Sequence, residues 1–241
     1  MRKPSRIAGF DLETTGVDPH QARIVTATAG VLDTDNQWVA QTWLLKQDQP
    51  IPAQAVAVHG IPTGLANRLG TGHDQTVCEI AARLAALWAE GLMVAGHNIA
   101  YDLTVLDAEL RRAGRDGLTV GGLVFDTLVA DKWADQYRRG PGAHKLGRAW
   151  AHWSGGETIQ DAHTAAGDAH TAAALALILC LQLPVDVQIN QWMGTQYRRQ
   201  AEKLAAYWRG NGRGPDADQI TYQWPIQEQP ATPLLPAGDP T

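Results

Sequence analysis

Four carboxylates and one histidine, spread over three segments, have the types and spacing to hold two divalent cations and activate a water against a phosphodiester. The segments are Phe10-Asp11-Leu12-Glu13-Thr14-Thr15-Gly16, His97-Asn98-Ile99-Ala100-Tyr101-Asp102 and His163-Thr164-Ala165-Ala166-Gly167-Asp168-Ala169. Their acids sit inside apolar stretches, where an uncompensated charge is expensive. Asp11 and Glu13 are two apart near a strand end, so their side chains face the same way, roughly 6–7 Å apart. Such a pair repels unless a proton or a cation lies between its members. Asp102 falls in the first turn of a predicted helix, whose N-terminus favours an ionised acid even when it is partly buried. His163 and Asp168 would diverge by ~140° on one continuous helix. Both reach one site only if His163 lies in the preceding loop and Asp168 in the first turns.

Taken singly, each segment has an ordinary explanation. An acidic strand end facing water accounts for Asp11 and Glu13, a helix cap for Asp102, and a surface or capping histidine for His163. His144, His152 and His170 have no comparable context. The elements that must position the acids are nevertheless legible. Residues 6–11, 23–32 and 38–45 read as three strands of an antiparallel meander. Val77, Ile80, Ala81, Leu84, Leu87 and Trp88 recur at helical spacing over residues 74–90, which Gly91 ends. A short strand over 92–96, a helix over 101–113, a strand over 123–125 and a helix N-capped by Asp126 follow. An Ala- and Leu-rich helix over 165–183 closes at Pro184. This order predicts an α/β domain over residues 1–183, with a mixed sheet flanked by helices. Residues 184–241 then form a C-terminal extension: one amphipathic helix over 187–209 and a Gly- and Pro-rich tail, extended and largely mobile.

At 241 residues and 44% hydrophobic, the chain can bury a sizeable core, which excludes disorder throughout. Its formal net charge of −5 is not that of a sequence-independent duplex binder. Two cysteines, Cys78 and Cys180, make a disulfide framework an unsuitable reading and fit a reducing compartment, so a cytoplasmic location is expected. No membrane span and no secretory signal are expected.

Together, in this order, the three segments resemble the DEDDh branch of the DnaQ-like 3′–5′ exonucleases, the family of bacterial and phage proofreading-type enzymes. The resemblance covers about residues 5–183. Val58-His59-Gly60-Ile61 and Phe125-Asp126-Thr127 are further points of likeness, and the small Thr164 and Gly167 in the third segment are a departure. It implies an RNase H-like fold and two Mg²⁺ or Mn²⁺ ions on Asp11, Glu13, Asp102 and Asp168, with His163 as general base. Leu12, Thr14, Thr15, His59, His97, Asn98 and Tyr101 become candidates to hold the terminal nucleotide. Backbone amides after Glu13 would bind its 3′-hydroxyl, and His97 is equally a structural residue bonding the strand end. The implied activity is release of nucleoside 5′-monophosphates from a single-stranded or frayed 3′ end of DNA, in proofreading, repair or phage-like replication. RNA trimming is the alternative substrate reading, and a catalytically silent nucleic-acid or polymerase-docking module is the alternative of another kind. A DNA polymerase or sliding clamp is a candidate partner, since Gln219-Ile220-Thr221-Tyr222-Gln223-Trp224 resembles a clamp-binding peptide. The basic residues Arg198, Arg199, Lys203, Arg209 and Arg213, interleaved with Trp192, Tyr197, Tyr207 and Trp208, form either a strand-guiding surface or the wet face of a docked helix.

Overall fold

The computed structural model describes residues 4–159, 161–184 and 187–229. Strands β1 (Arg6–Thr14), β2 (Ile24–Asp33) and β3 (Trp38–Leu44) make the antiparallel meander, and β4 (Val94–Gly96) and β5 (Val124–Asp126) add in parallel. The sheet order is β3-β2-β1-β4-β5. This is the RNase H-like mixed sheet expected from the sequence. The C-terminal ends of β1, β4 and β5 therefore lie along one edge of the sheet, the place where open α/β sheets bind ligands.

Alternation along β1 decides which face each residue serves. Ala8, Phe10 and Leu12 point into one core cluster, shared with helices α3 (His73–Ala89) and α4 (Ile99–Arg112). Ile7 joins the other cluster. That second cluster holds α5 (Thr127–Ala134), α7 (Ala165–Leu179) and α8 (Ile189–Gly210). Gly9, Asp11 and Glu13 share the parity of Ile7, so the acids face the side on which α7 runs.

Several elements were not read from the sequence. Two short helices, α1 (Ala53–His59) and α2 (Thr63–Leu69), fill the connection from β3 to α3. Each starts after a proline, Pro52 or Pro62, and is only seven residues long, too short to show periodicity. The Trp-rich α6 (Leu146–Ser154) packs against α7 and ends at Gly155 in the left-handed conformation. The helix expected over 165–183 ends at Leu179 and continues as a 3₁₀ turn, Cys180–Gln182. By composition the run Ala165–Gln182, with a mean hydropathy of 1.3, is apolar enough to cross a bilayer. Here it covers β1 and β2.

Residues 210–229 are not simply extended, as the sequence suggested. A short helix α9 (Gly214–Ala217) turns the chain back along α8, and Trp224 packs against both core clusters. The Gln227 amide donates to Thr104 Oγ1 at 2.8 Å, and its side chain donates to Tyr197 Oη at 2.7 Å. Partial burial of a large aromatic holds this segment against the body despite its Gly and Pro content. The clamp-like segment ending at Trp224 is thus docked on its own body. Pro230, Pro233, Pro236 and Pro240 lie outside the described residues.

Candidate active site

Carboxylate oxygens of Asp11, Glu13 and Asp168 lie within 4.8 Å of one another. Two features of the backbone bring them there. Strand parity aims Asp11 and Glu13 at α7, and α7 begins with Thr164 as N-cap, its hydroxyl accepting from the Gly167 amide at 3.0 Å, so Asp168 falls in the first turn. Close approach of α7 to β1 requires Gly9, because a Cβ there would sit 2.2 Å from the Ala169 carbonyl oxygen. Gly9 thus sets the depth at which Asp168 meets the strand acids, and nothing in the sequence alone marked it. His163, at φ +63°, sits exposed in the loop just before α7. A non-glycine residue in that region is uncommon and tends to occur at functional sites.

Asp102 lies outside that trio and approaches β1 from the other face of the sheet. It lies in the first turn of α4, is 4% exposed, and its Oδ1 accepts the Leu12 amide at 3.0 Å. Among the described residues, none of the four acids forms an ion pair with a lysine or arginine. Burial, then the charges of Asp102, Asp168 and Glu13, holds Asp11 well above the usual carboxylate range. Burial and Asp168 push Glu13 up to about 7. Burial raises Asp168 too, against the amide and ring of His163. The helix N-terminus, expected to keep Asp102 ionised, is opposed by its surroundings. Burial, with Asp126 and Glu13 nearby, outweighs the Leu12 amide and drives Asp102 well upward. Crowded, desolvated oxygens of this kind suit a hard divalent cation, which neutralises them together.

The other candidates divide by what already occupies them. Thr14 Oγ1 lies 2.6 Å from Tyr101 Oη, and both bond the Gly16 carbonyl, fixing the turn after β1. Burial pushes the Tyr101 phenol up to about 12, keeping it a neutral donor. Thr15 is committed to Arg23: its amide donates to the Arg23 carbonyl at 3.0 Å and its hydroxyl accepts the Arg23 amide at 2.9 Å. Of the backbone amides after Glu13 expected to meet a 3′-hydroxyl, that of Thr15 is thus already engaged. Both ring nitrogens of His97 are engaged, with Thr127 Oγ1 and the His144 carbonyl, each at 2.9 Å. Both partners are protein groups, and burial lowers the ring to about 4. His59 ends α1, its Nδ1 accepting the Ile61 amide at 3.1 Å. Leu12 is packed in the core, and Asn98 takes a left-handed conformation at the head of α4.

Three acids outside these segments matter; Asp131 and Glu109 were missed, and Asp126 was read only in part. Asp126 is fully buried at the end of β5. Its Oδ1 accepts amides of Asn98, Leu128 and Val129, while its Oδ2 has no partner among the described residues. Burial lifts it to about 6. Its role as an N-cap was legible, but its hold on Asn98, beside the acidic group, was not. Asp131 gathers Arg138, His144 (2.7 Å) and the Trp153 indole (2.7 Å), so His144 has a buried context after all. Glu109 gathers Arg23, His73 and Arg112. The one local signal was a charge inside an apolar helix stripe, as in Leu128-Val129-Ala130-Asp131.

The RNase_T family model, described as an exonuclease, matches residues 8–176. A comparison with curated proteins returns no match. Among solved structures, E. coli exonuclease I in complex with a dT13 oligonucleotide aligns with a TM-score of 0.57 at 18% identity, over 84% of this chain and 46% of that one. The zinc-bound E. coli exonuclease I–single-stranded DNA complex gives 0.58 at 20% identity, over 84% and 45%. The exonuclease I structure described as suggesting how processivity is achieved gives 0.60 at 18%, over 84% and 46%. The likeness establishes the fold, and the chain spans less than half the length of exonuclease I.

Proposed function

We propose that this chain, which belongs to the RNase T exonuclease family, hydrolyses single-stranded DNA from its 3′ end with two bound Mg²⁺ or Mn²⁺ ions. The observation that carries the reading is the trio Asp11, Glu13 and Asp168 within 4.8 Å, held above the usual carboxylate range, with Asp102 on the facing helix. These four acids would hold the ions, which supply charge neutralisation at the attacking and leaving oxygens of an in-line displacement. The chain's own residues do the rest. His163, exposed at the rim, takes the proton of the attacking water on a ring nitrogen. Tyr101, neutral and tied to Thr14 and Gly16, keeps the turn after β1 rigid beside the reacting group. The Leu12 amide holds Asp102 in register with β1. That the exonuclease I neighbours bind single-stranded oligonucleotides supports a single strand as substrate.

The test is incubation of 5′-labelled single-stranded DNA and RNA with Mg²⁺, Mn²⁺ or chelator. Shortening of DNA from the unlabelled end, absent with chelator, is the expected result. Equal or faster loss of RNA would move the substrate to RNA, and no hydrolysis with either metal would leave a silent binding module. In the same assay His163→Ala should lower turnover by roughly 10²–10⁴-fold with metal binding retained. Loss of metal binding would instead make His163 a ligand.

A further inference from the structure

A groove of about 770 Å³ begins at Asn98, the residue that heads α4 four positions before Asp102, and runs between the loop 17–20 and α8. A second hollow of about 590 Å³, under the glycine-rich loop 138–145, shares Leu128, Lys132, Arg139 and His144 with it, so the two form one continuous trough. The far wall is made by Tyr197, Gln200, Lys203, Leu204 and residues 219–221, all beyond the matched span 8–176.

Charge along this trough inverts that of the rest of the chain. Formal net charge is −5, yet Lys132, Arg139, Lys145 and Lys203 line the two hollows and Asp18 is the single acid among their lining residues. None of those four cations forms an ion pair among the described residues, whereas Arg209 on the same α8 is paired with Asp218. Two apolar side chains stand unburied on the groove wall, Val17 at 93% exposure and Tyr137 at 75%. Unpaired cations beside exposed apolar and aromatic side chains are what a single nucleic-acid strand needs: phosphates for the charges, base faces for the rings. A peptide of similar width would leave four positive charges uncompensated unless it were strongly acidic.

We infer that α8 and the segment after it complete a non-catalytic groove that holds the single strand 5′ of the terminal nucleotide. Lys132, Arg139, Lys145 and Lys203 contact its phosphates there, and Val17 and Tyr137 pack against its bases. The polarity of the strand rests on the exonuclease reading above; the binding itself does not.

The experiment uses the full chain with chelator present, measuring fluorescence anisotropy of labelled dT3 and dT12 from low to moderate salt. Wild type should bind dT12 tighter than dT3. Arg139→Ala/Lys203→Ala should weaken dT12 about 10-fold and flatten the log–log salt slope by about 1.4, the value for two lost single-strand phosphate contacts. Arg209→Ala, outside the groove, should change neither. Turnover of the p-nitrophenyl ester of thymidine 5′-monophosphate, with metal restored, should be the same in all three proteins. Equal dT12 binding by the double variant, an equal loss in Arg209→Ala, or a wild type that binds dT12 no better than dT3 each overturns the groove. Failure of every protein to hydrolyse the ester or DNA, with binding as expected, overturns the exonuclease reading and leaves the groove standing.

Discussion

Asp102 and Glu109 lie seven residues apart on α4, two turns along one face, and are almost equally buried, at 4% and 1%. Their environments drive them in opposite directions. Burial, and then the charges of Asp126 and Glu13, pushes Asp102 well above the usual carboxylate range. Burial works against Glu109 as well. Its hydrogen bond to His73 and the charges of His73, Arg112 and Arg23 win, and it falls to about 2. Glu109 also accepts the Ile24 amide at 3.0 Å, tying α4 to β2. Burial alone thus says nothing about what a carboxylate does. The sign of its neighbours separates a group that is satisfied by the protein from one that waits for a cation.

The sharpest way to break this comparison is to neutralise each acid in turn. Asp102→Asn keeps an oxygen for the Leu12 amide and removes a repelling charge. Hydrolysis should fall by about 10³-fold or more, while the urea midpoint of metal-free protein stays level or rises. Glu109→Gln should do the reverse, costing about 3 kcal/mol of stability and sparing turnover well below the melting temperature. If Asp102→Asn proved as destabilising as Glu109→Gln, Asp102 would be a structural acid.

A second test sharpens the stability half through pH. Glu109's folded value lies below its unfolded value of about 4.5, so its contribution is fully present above pH 4.5 and drains away as pH falls toward 2. A shift of that size corresponds to about 3 kcal/mol. Chemical denaturation of wild type and Glu109→Gln from pH 7 to pH 2.5 should show two curves that converge at the acid end. Curves that stay parallel would remove the ion network from the account.

Much of the acidic site could be read before any coordinates. Period-two alternation put Asp11 and Glu13 on one face, and the break before the Ala-rich helix put His163 in a loop and Asp168 in a first turn. The meander and the parallel strands followed from apolar runs and turn residues. What escaped depends on partners distant in sequence. Glu109 is flanked by Arg112, but Arg23, just before β2, and His73, at the start of α3, arrive through the tertiary fold alone. Asp131 meets His144 only because the loop 138–145 folds back. The docking of Trp224 was hidden by the prolines and glycines around it, which describe local chain stiffness and not what the indole touches.

Gly9 is the residue whose importance is purely one of approach, and it separates the two halves differently. Gly9→Ala forces α7 away from β1, since the new Cβ would meet the Ala169 carbonyl. A displacement of about 1 Å at Asp168 should cost roughly 10²-fold in turnover. The Glu109 network, on the opposite face of the sheet, should keep its acid titration unchanged. Turnover equal to wild type would show that α7 can slide without disturbing the acids.

The smallest effect belongs to the pair that looks most like a salt bridge in sequence. Arg111 lies four residues after Asp107 on α4, with Nε 2.8 Å from the carboxylate, but its side chain is mostly in water. Solvent screening and the entropy of holding a long side chain cancel most of that attraction. Asp107 is different: its Oδ1 also accepts the Leu118 amide at 2.8 Å and so anchors the loop after α4. Arg111→Ala should therefore leave the urea midpoint unchanged, whereas Asp107→Ala lowers it. An equal loss in both variants would show that exposed charge pairing on α4 stabilises it after all, and the contrast with Glu109 would then be one of degree.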